Sequence, residues 1–324
     1  MSISDEFSKL RSRLADSVVG QSALVESLLI ALIADGHVLL EGAPGLAKTR
    51  IAKALANSFE GEFSRIQFTP DLLPSDLTGG AIYNPAEHRF DFQKGPLFGN
   101  FVLADEINRA PAKVQSALLE AMEERQVTAG DRTHILPDPF FVVATQNPIE
   151  HEGTWELPQA QLDRFLLHVV VDYPTPETER AILDLVMQET VEAQSKAATK
   201  EPAGRLTGEQ LADARRAVLD IHVSPLIRDF IVRIISGTRN EPAAIPGVGE
   251  HLSHPISPRG SIGLARVAQV RAWLEGRDHV IPEDVILLAP EALRHRMGLT
   301  YRAEADGITS GEVVTTLLEG VDAV

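Results

Sequence analysis

Residues 37–59, HVLLEGAPGLAKTRIAKALANSF, constrain the fold more than any other stretch of the chain. An apolar run over 37–41 enters a turn carrying Gly42 and Gly45, and a helical pattern leaves it at once. A strand that turns on glycines straight into a helix is the repeating unit of a parallel α/β sheet. The turn nearly fits the phosphate-loop pattern G-x-x-x-x-G-K-[ST]. Gly42, Lys48 and Thr49 fall in place, while Ala47 stands where the second glycine belongs. Such a loop needs backbone N–H groups converging at a helix N-terminus, a lysine for the β/γ oxygens and a hydroxyl for Mg²⁺. All three survive, because position 47 falls where the helix has begun and an alanine with negative φ fits there. Read alone, the alternative is an ordinary strand–turn–helix that happens to contain a lysine.

Four further runs, 63-FSRIQF-68, 101-FVLAD-105, 140-FFVVAT-145 and 167-LHVVV-171, alternate with helical patterns. All but 63–68 are nearly continuously apolar, as strands covered by helices on both faces must be. The run at 63–68 is more polar and is expected at a sheet edge. After Val171 the strands are expected to stop. Helix starts recur at Thr175-Pro176, Ser224-Pro225 and Ser257-Pro258, and Thr207 with Gln210 reads as a capping box. The spacing therefore predicts an α/β domain over 1–172 and a helical domain over 173–324.

With 46 acidic and 30 basic residues the formal charge is -16, which disfavours a surface that neutralises nucleic-acid phosphates. The absence of cysteine excludes disulfides, thiolate zinc sites and cysteine nucleophiles. The window 23-ALVESLLIALIADGHVLL-40 is broken by Glu26, Asp35 and Gly36, so it reads as a buried helix and a strand rather than a membrane span. MSISDEF at the start is acidic and lacks the apolar stretch of a signal peptide, so a cytoplasmic location is expected.

The strand 101–105 ends in two adjacent carboxylates, Asp105 and Glu106. Beside a phosphate loop, the first would join the Mg²⁺ shell and the second would orient an attacking water. The alternative is an acidic loop entry. Asn147 closes the strand 140–145 at the same sheet edge, where open α/β sheets bind ligands. On its own, Asn147-Pro148 reads better as a turn. Arg164 precedes the fifth strand and could serve as an arginine finger across a subunit boundary. Taken alone it reads as a surface ion pair with Asp163 or another acid.

These motifs in this order, with a helical region behind them, resemble the AAA+ ATPases. The wording is closer still to the MoxR subfamily: GAPGLAKT, DEINRAPAKVQSALLEAMEERQVT, ATQNPIEHEGTWELPQAQLDRF, then SPRG and LRHRMGLTY. An alanine at position 47 is usual in that subfamily. The resemblance covers nearly the whole chain and implies a P-loop core with a five-stranded parallel sheet, followed by an all-helical lid. It implies ATP held by Gly42, Ala43, Pro44, Gly45, Leu46, Ala47, Lys48, Thr49 and Arg50, with Val19 and Gly20 of VVGQ bordering the adenine. Thr49 and Asp105 would hold Mg²⁺, and Glu106 would be the catalytic carboxylate. Asn147 would be sensor 1, Arg164 the finger acting in trans, and Arg259 sensor 2. Residues 79–98 would form a hairpin insert pointing into the pore of a hexameric ring.

The resemblance further implies a Mg²⁺-dependent ATPase that remodels a protein client, often through a von Willebrand A domain partner. A DNA-processing motor is the leading rival, and the expected hairpin argues against it. Residues 87–94 set Arg89 and Lys94 against Glu87 and Asp91, whereas a DNA translocase needs repeated basic contacts. A chelatase-type subunit shares the architecture. A nucleotide-gated scaffold would have no need for Glu106 or Arg164. The loop 240–255 is longer than the family pattern. Its His251 and His254 read as solvated histidines, because no carboxylate or cysteine completes a ligand set.

Overall fold

The computed structural model describes residues 3–18, 20–43, 48–129, 132–147, 154–194, 204–239 and 245–322. Val19, Pro44, Gly45, Leu46 and Ala47, and the turn at Pro148, lie outside the described residues, as do residues 240–244 of the long loop.

Two helices, α1 (Ile3–Ser17) and α2 (Ser22–Ile33), precede the first strand, β1 (Val38–Gly42). Helix α3 (Lys48–Asn57) follows the loop and leads to β2 (Phe63–Gln67). A short helix, α4 (Pro74–Thr78), introduces an antiparallel hairpin of β3 (Gly79–Asn84) and β4 (Arg89–Lys94). Then come β5 (Phe101–Asp105), α5 (Ala112–Glu124), a second hairpin of β6 (Gln126–Ala129) and β7 (Arg132–Ile135), and β8 (Phe141–Gln146). One turn of helix, α6 (Gln159–Leu162), leads into β9 (Leu167–Val171).

Five of these strands form one parallel sheet in the order β2-β5-β8-β1-β9, which puts β2 at an edge as its polar pattern predicts. The strands alternate between two cores with period two. Val38, Leu40, Leu103, Phe141 and Val143 face the cluster that also holds α1, α2 and α3. Leu39, Val102, Ala104, Val142 and Ala144 face the one that holds α5. Helices on both faces explain why these runs carry no polar alternation.

The C-terminal region holds α7 (Pro176–Gln194), α8 (Gly208–Leu219), α9 (Pro225–Ser236), α10 (Pro258–Leu274), α11 (Pro282–Leu293), α12 (Tyr301–Ala305) and α13 (Ser310–Glu319). The expected caps are present. Ser224 Oγ accepts from Ile227 N, and Thr207 and Gln210 bond reciprocally. The expectation that strands end at Val171 needs correction. Leu252–His254 (β10) and Gly298–Leu299 (β11) pair antiparallel, at a length too short to leave a period-two pattern in the sequence. The α1–α3 face of the sheet and the buried sides of α8–α11 and α13 share one apolar cluster.

Candidate active site

Register brings the chemistry to the C-terminal edge of the sheet. Gln67 pairs with Asp105, Glu41 with Gln146, and Gly42 with Val171, so β2, β5, β8, β1 and β9 end side by side. Gly42 is required there by close approach, since a Cβ would meet Val171 O at 2.5 Å. Lys48 opens α3 and is buried. Its Nζ donates to Gly42 O at 2.5 Å and reaches Asn147 Oδ1 and Gln146 O at 3.4 Å each. Burial pulls the ammonium below its ordinary pKa, while Asp105, Glu106 and Glu41 oppose that shift.

Asp105 and Glu106 are held apart by different partners. Thr145 Oγ1 donates to Asp105 Oδ1 at 2.7 Å and accepts from Glu106 N at 2.9 Å. The Arg65 guanidinium lies on Asp105 Oδ2 at 2.6 Å. Glu106 sits in the left-handed region, φ 57° and ψ 50°, which swings its carboxylate away from that of Asp105. There Asn147 Nδ2 donates to its Oε1 at 2.9 Å, and Gln67 Nε2 and Arg109 Nη1 reach its Oε2 at 2.8 and 3.1 Å. Lys48, Asp105, Glu106 and Asn147 thus converge from separate elements. Thr49 and Arg50 follow Lys48 on the first turn of α3, and Ala43 follows β1. A carboxylate and a hydroxyl are hard oxygen donors, which fits Mg²⁺ chemistry. Gly20 is left-handed, φ +77°, and a Cβ there would come within 2.0 Å of Thr178 Cγ2 on α7. Gly20 therefore packs against the first turn of α7.

Arg164 and Arg259 are not part of this cluster. They stand together at the opposite edge of the sheet, near Gly36 and His37 at the entrance to β1. The five residues of β1 span roughly 16 Å between the two places. Arg164 Nε lies 3.0 Å from Glu123 Oε2, and Arg259 Nη2 lies 2.6 Å from Glu123 Oε1. The ion pair foreseen for Arg164 thus exists, with Glu123 rather than Asp163 as its acid. Asp163 is engaged by the buried Arg296 at 2.5 Å and by Ser257 Oγ at 3.2 Å. These groups line a cavity of about 380 Å³ in which five arginines face three carboxylates. His37 adds no charge, because burial and then Arg125 push its pKa down to about 3. Against an overall charge of -16, the cavity is locally cationic.

Sequence reasoning missed Gln67, Thr145, Arg65 and Glu123. Gln67 ends β2, and Thr145 lies two residues before Asn147 inside a quoted motif; those positions are the one signal they carry. Glu123 lies inside the quoted stretch 105–128, which does not single it out, and Arg65 carries no signal.

Residues 37–167 match the family described as "ATPase family associated with various cellular activities (AAA)", and residues 248–317 match the "AAA lid domain". The chain is 46% identical over 305 residues to "Chaperone MoxR1" of Mycobacterium tuberculosis, covering 94% of this chain and 78% of that one. It is 35% identical over 306 residues to "Protein MoxR" of Methylorubrum extorquens, covering 91% and 88%. A Cytophaga hutchinsonii crystal structure, described as a candidate ATPase, superposes with a TM-score of 0.88 at 39% identity, over 99% of this chain and 96% of that one.

Proposed function

Because the chain belongs to the MoxR family of chaperone-like AAA+ ATPases, we propose that it hydrolyses ATP in a Mg²⁺-dependent reaction to remodel, assemble or activate a protein client. The convergence of Lys48, Asp105, Glu106 and Asn147 on one sheet edge carries this reading. Lys48 meets the β- and γ-phosphate oxygens, and Asn147, already bonded to both Lys48 and Glu106, reports the γ-phosphate to the carboxylate. Glu106 orients the attacking water. Thr49 and Asp105 would hold Mg²⁺, which would neutralise charge on the phosphates. Arg65, which bonds Asp105 Oδ2, would share that carboxylate with the ion.

Arg164 and Arg259 act together on the γ-phosphate of a neighbouring subunit in a ring, a reading supported by their shared position a strand's length from Lys48. The division at residues 172 and 173 separates the nucleotide-binding domain from the lid in this reading. The β3–β4 hairpin faces the client: Ile82, Tyr83 and Phe90 are exposed on it, and Arg89 is neutralised by Glu87 and Asp91. An apolar, near-neutral tip suits a polypeptide better than a phosphate backbone, and a von Willebrand A domain protein would deliver that client. No helix among the described residues is long and apolar enough to cross a membrane, and cytoplasmic action is part of the proposal.

Steady-state hydrolysis paired with fluorescent-nucleotide binding tests it. Glu106→Gln should bind ATP like the wild type while turnover collapses, and Lys48→Ala should lose binding itself. Wild-type turnover in Glu106→Gln would remove Glu106 from the reaction.

A further inference from the structure

One carboxylate serves both distal arginines. Glu123 lies on the last turn of α5 and offers one oxygen to each guanidinium, Oε2 to Arg164 and Oε1 to Arg259. Its backbone is pinned on both sides. Met122 is buried and its carbonyl meets His37 Nε2 at 3.2 Å, while Arg125 bonds Asp35 and the Phe140 carbonyl. The nearest approach to Arg164 is at Nε. Asp163 holds Arg296 and Ser257 and stands only at 3.9 Å from Arg259 Nη1, which leaves Glu123 as the carboxylate that closely meets both arginines.

We propose that Glu123 is the positioning residue for Arg164 and Arg259: it fixes them as one receptor whose N–H groups meet the neighbouring subunit's γ-phosphate. The proposal rests on the reading of Arg164 as a finger acting in trans. Two guanidinium groups against one carboxylate leave the trio with a positive charge, so it still attracts a phosphate. Holding both arginines before ATP arrives removes the cost of ordering them in the transition state. Without Glu123, two long cationic side chains repel each other and scatter through the cavity.

The test is Glu123→Gln, isosteric and at a side chain already 35% exposed. A misplacement of about 1 Å remote from the chemistry can cost about 10²-fold in rate. The expected result is kcat lowered about 10- to 100-fold with KM and fluorescent-nucleotide affinity changed by less than about twofold. Glu123→Asp, which keeps the charge on a shorter arm, should fall between. Melting temperature should stay at the wild-type value. In mixed rings, Glu123→Gln with Glu106→Gln should recover activity, because some interfaces pair an intact Glu106 with an intact finger face. Glu123→Gln with Arg164→Ala should recover none, since both lesions spoil the same face of each subunit. Wild-type kcat in Glu123→Gln, a loss of its ATP affinity or melting temperature, or recovery in that second mixture would each overturn the proposal. A mixture of wild type with Glu106→Gln reports subunit exchange. If exchange is seen yet Arg164→Ala with Glu106→Gln stays inactive, the trans reading itself fails, and the proposal for Glu123 with it. If that pair recovers while Glu123→Gln turns over like the wild type, the proposal for Glu123 alone is lost.

Discussion

Glu106 occupies a left-handed backbone conformation that costs a side-chain-bearing residue on the order of 1 kcal/mol or more. Thr145 helps to hold it there, accepting from Glu106 N while donating to Asp105 Oδ1. The hydroxyl is buried and acts in both directions, so it separates the roles of two adjacent carboxylates. Thr145→Val keeps the shape and removes both bonds. It leaves a buried N–H and a carboxylate oxygen short of a partner, at about 1–3 kcal/mol. Chemical denaturation should show that loss. Turnover should fall about tenfold or more as Glu106 drifts from its place. Unchanged kcat in a folded Thr145→Val protein would mean that the hydroxyl has no part in orienting Glu106.

At the scale of elements, His37 ties β1 to β8 and to α5. Its Nδ1 accepts from Val142 N at 3.1 Å and its Nε2 faces Met122 O at 3.2 Å, an arrangement that needs the neutral ring. The folded pKa, about 3, lies below the ordinary 6.5. The unfolded chain therefore binds a proton here at pH values where the folded chain does not. Stability from this group is complete above pH 6.5 and is lost as pH falls toward 3, by about 1.4 kcal/mol per pH unit. His37→Gln, whose amide can accept and donate in the same way, should flatten the acid limb of stability against pH. Parallel limbs for the two proteins in urea denaturation between pH 7 and pH 5 would contradict this.

The two hairpins are coupled through stacked rings. His134 of β7 stacks on Phe92 of β4, ring centroids 3.9 Å apart at 12°, and meets the edge of Phe98. Such contacts contribute about 0.5–1.5 kcal/mol. His134→Ala should speed amide exchange in both hairpins and leave ATP affinity alone. Since β6 follows directly on α5, the same helix that carries Glu123 also anchors the hairpin that braces β3–β4.

For the whole molecule, charge and assembly make separate predictions. With -16 overall and a hairpin whose arginine is paired internally, binding to a random DNA duplex should be weak at physiological salt. Tight binding with a steep salt dependence, read by fluorescence anisotropy, would favour a DNA motor instead. Specific ATPase activity should rise with protein concentration as subunits meet, if Arg164 serves a neighbour's site as proposed, since it stands a strand's length from its own Lys48. Activity independent of concentration down to a demonstrated monomer would place the complete site within one chain.

What the sequence determined by itself is what a few consecutive residues can decide. The strand and the helix on either side of the 44–47 loop, the paired carboxylates 105–106 and the Ser and Thr caps are local, and each matches its described structure. Long apolar runs predicted buried strands because a strand covered on both faces has no polar positions. The short ladders carried no such signal. Ile135 of β7 is 81% exposed, and β10 and β11 are joined across the lid. Tertiary structure alone decided which groups meet. Glu123 and Arg259 are 136 positions apart, and their contact depends on where α5 and α10 pack against the sheet. That placement comes from burial distributed over the two cores, to which every packed side chain contributes, and no short stretch encodes it.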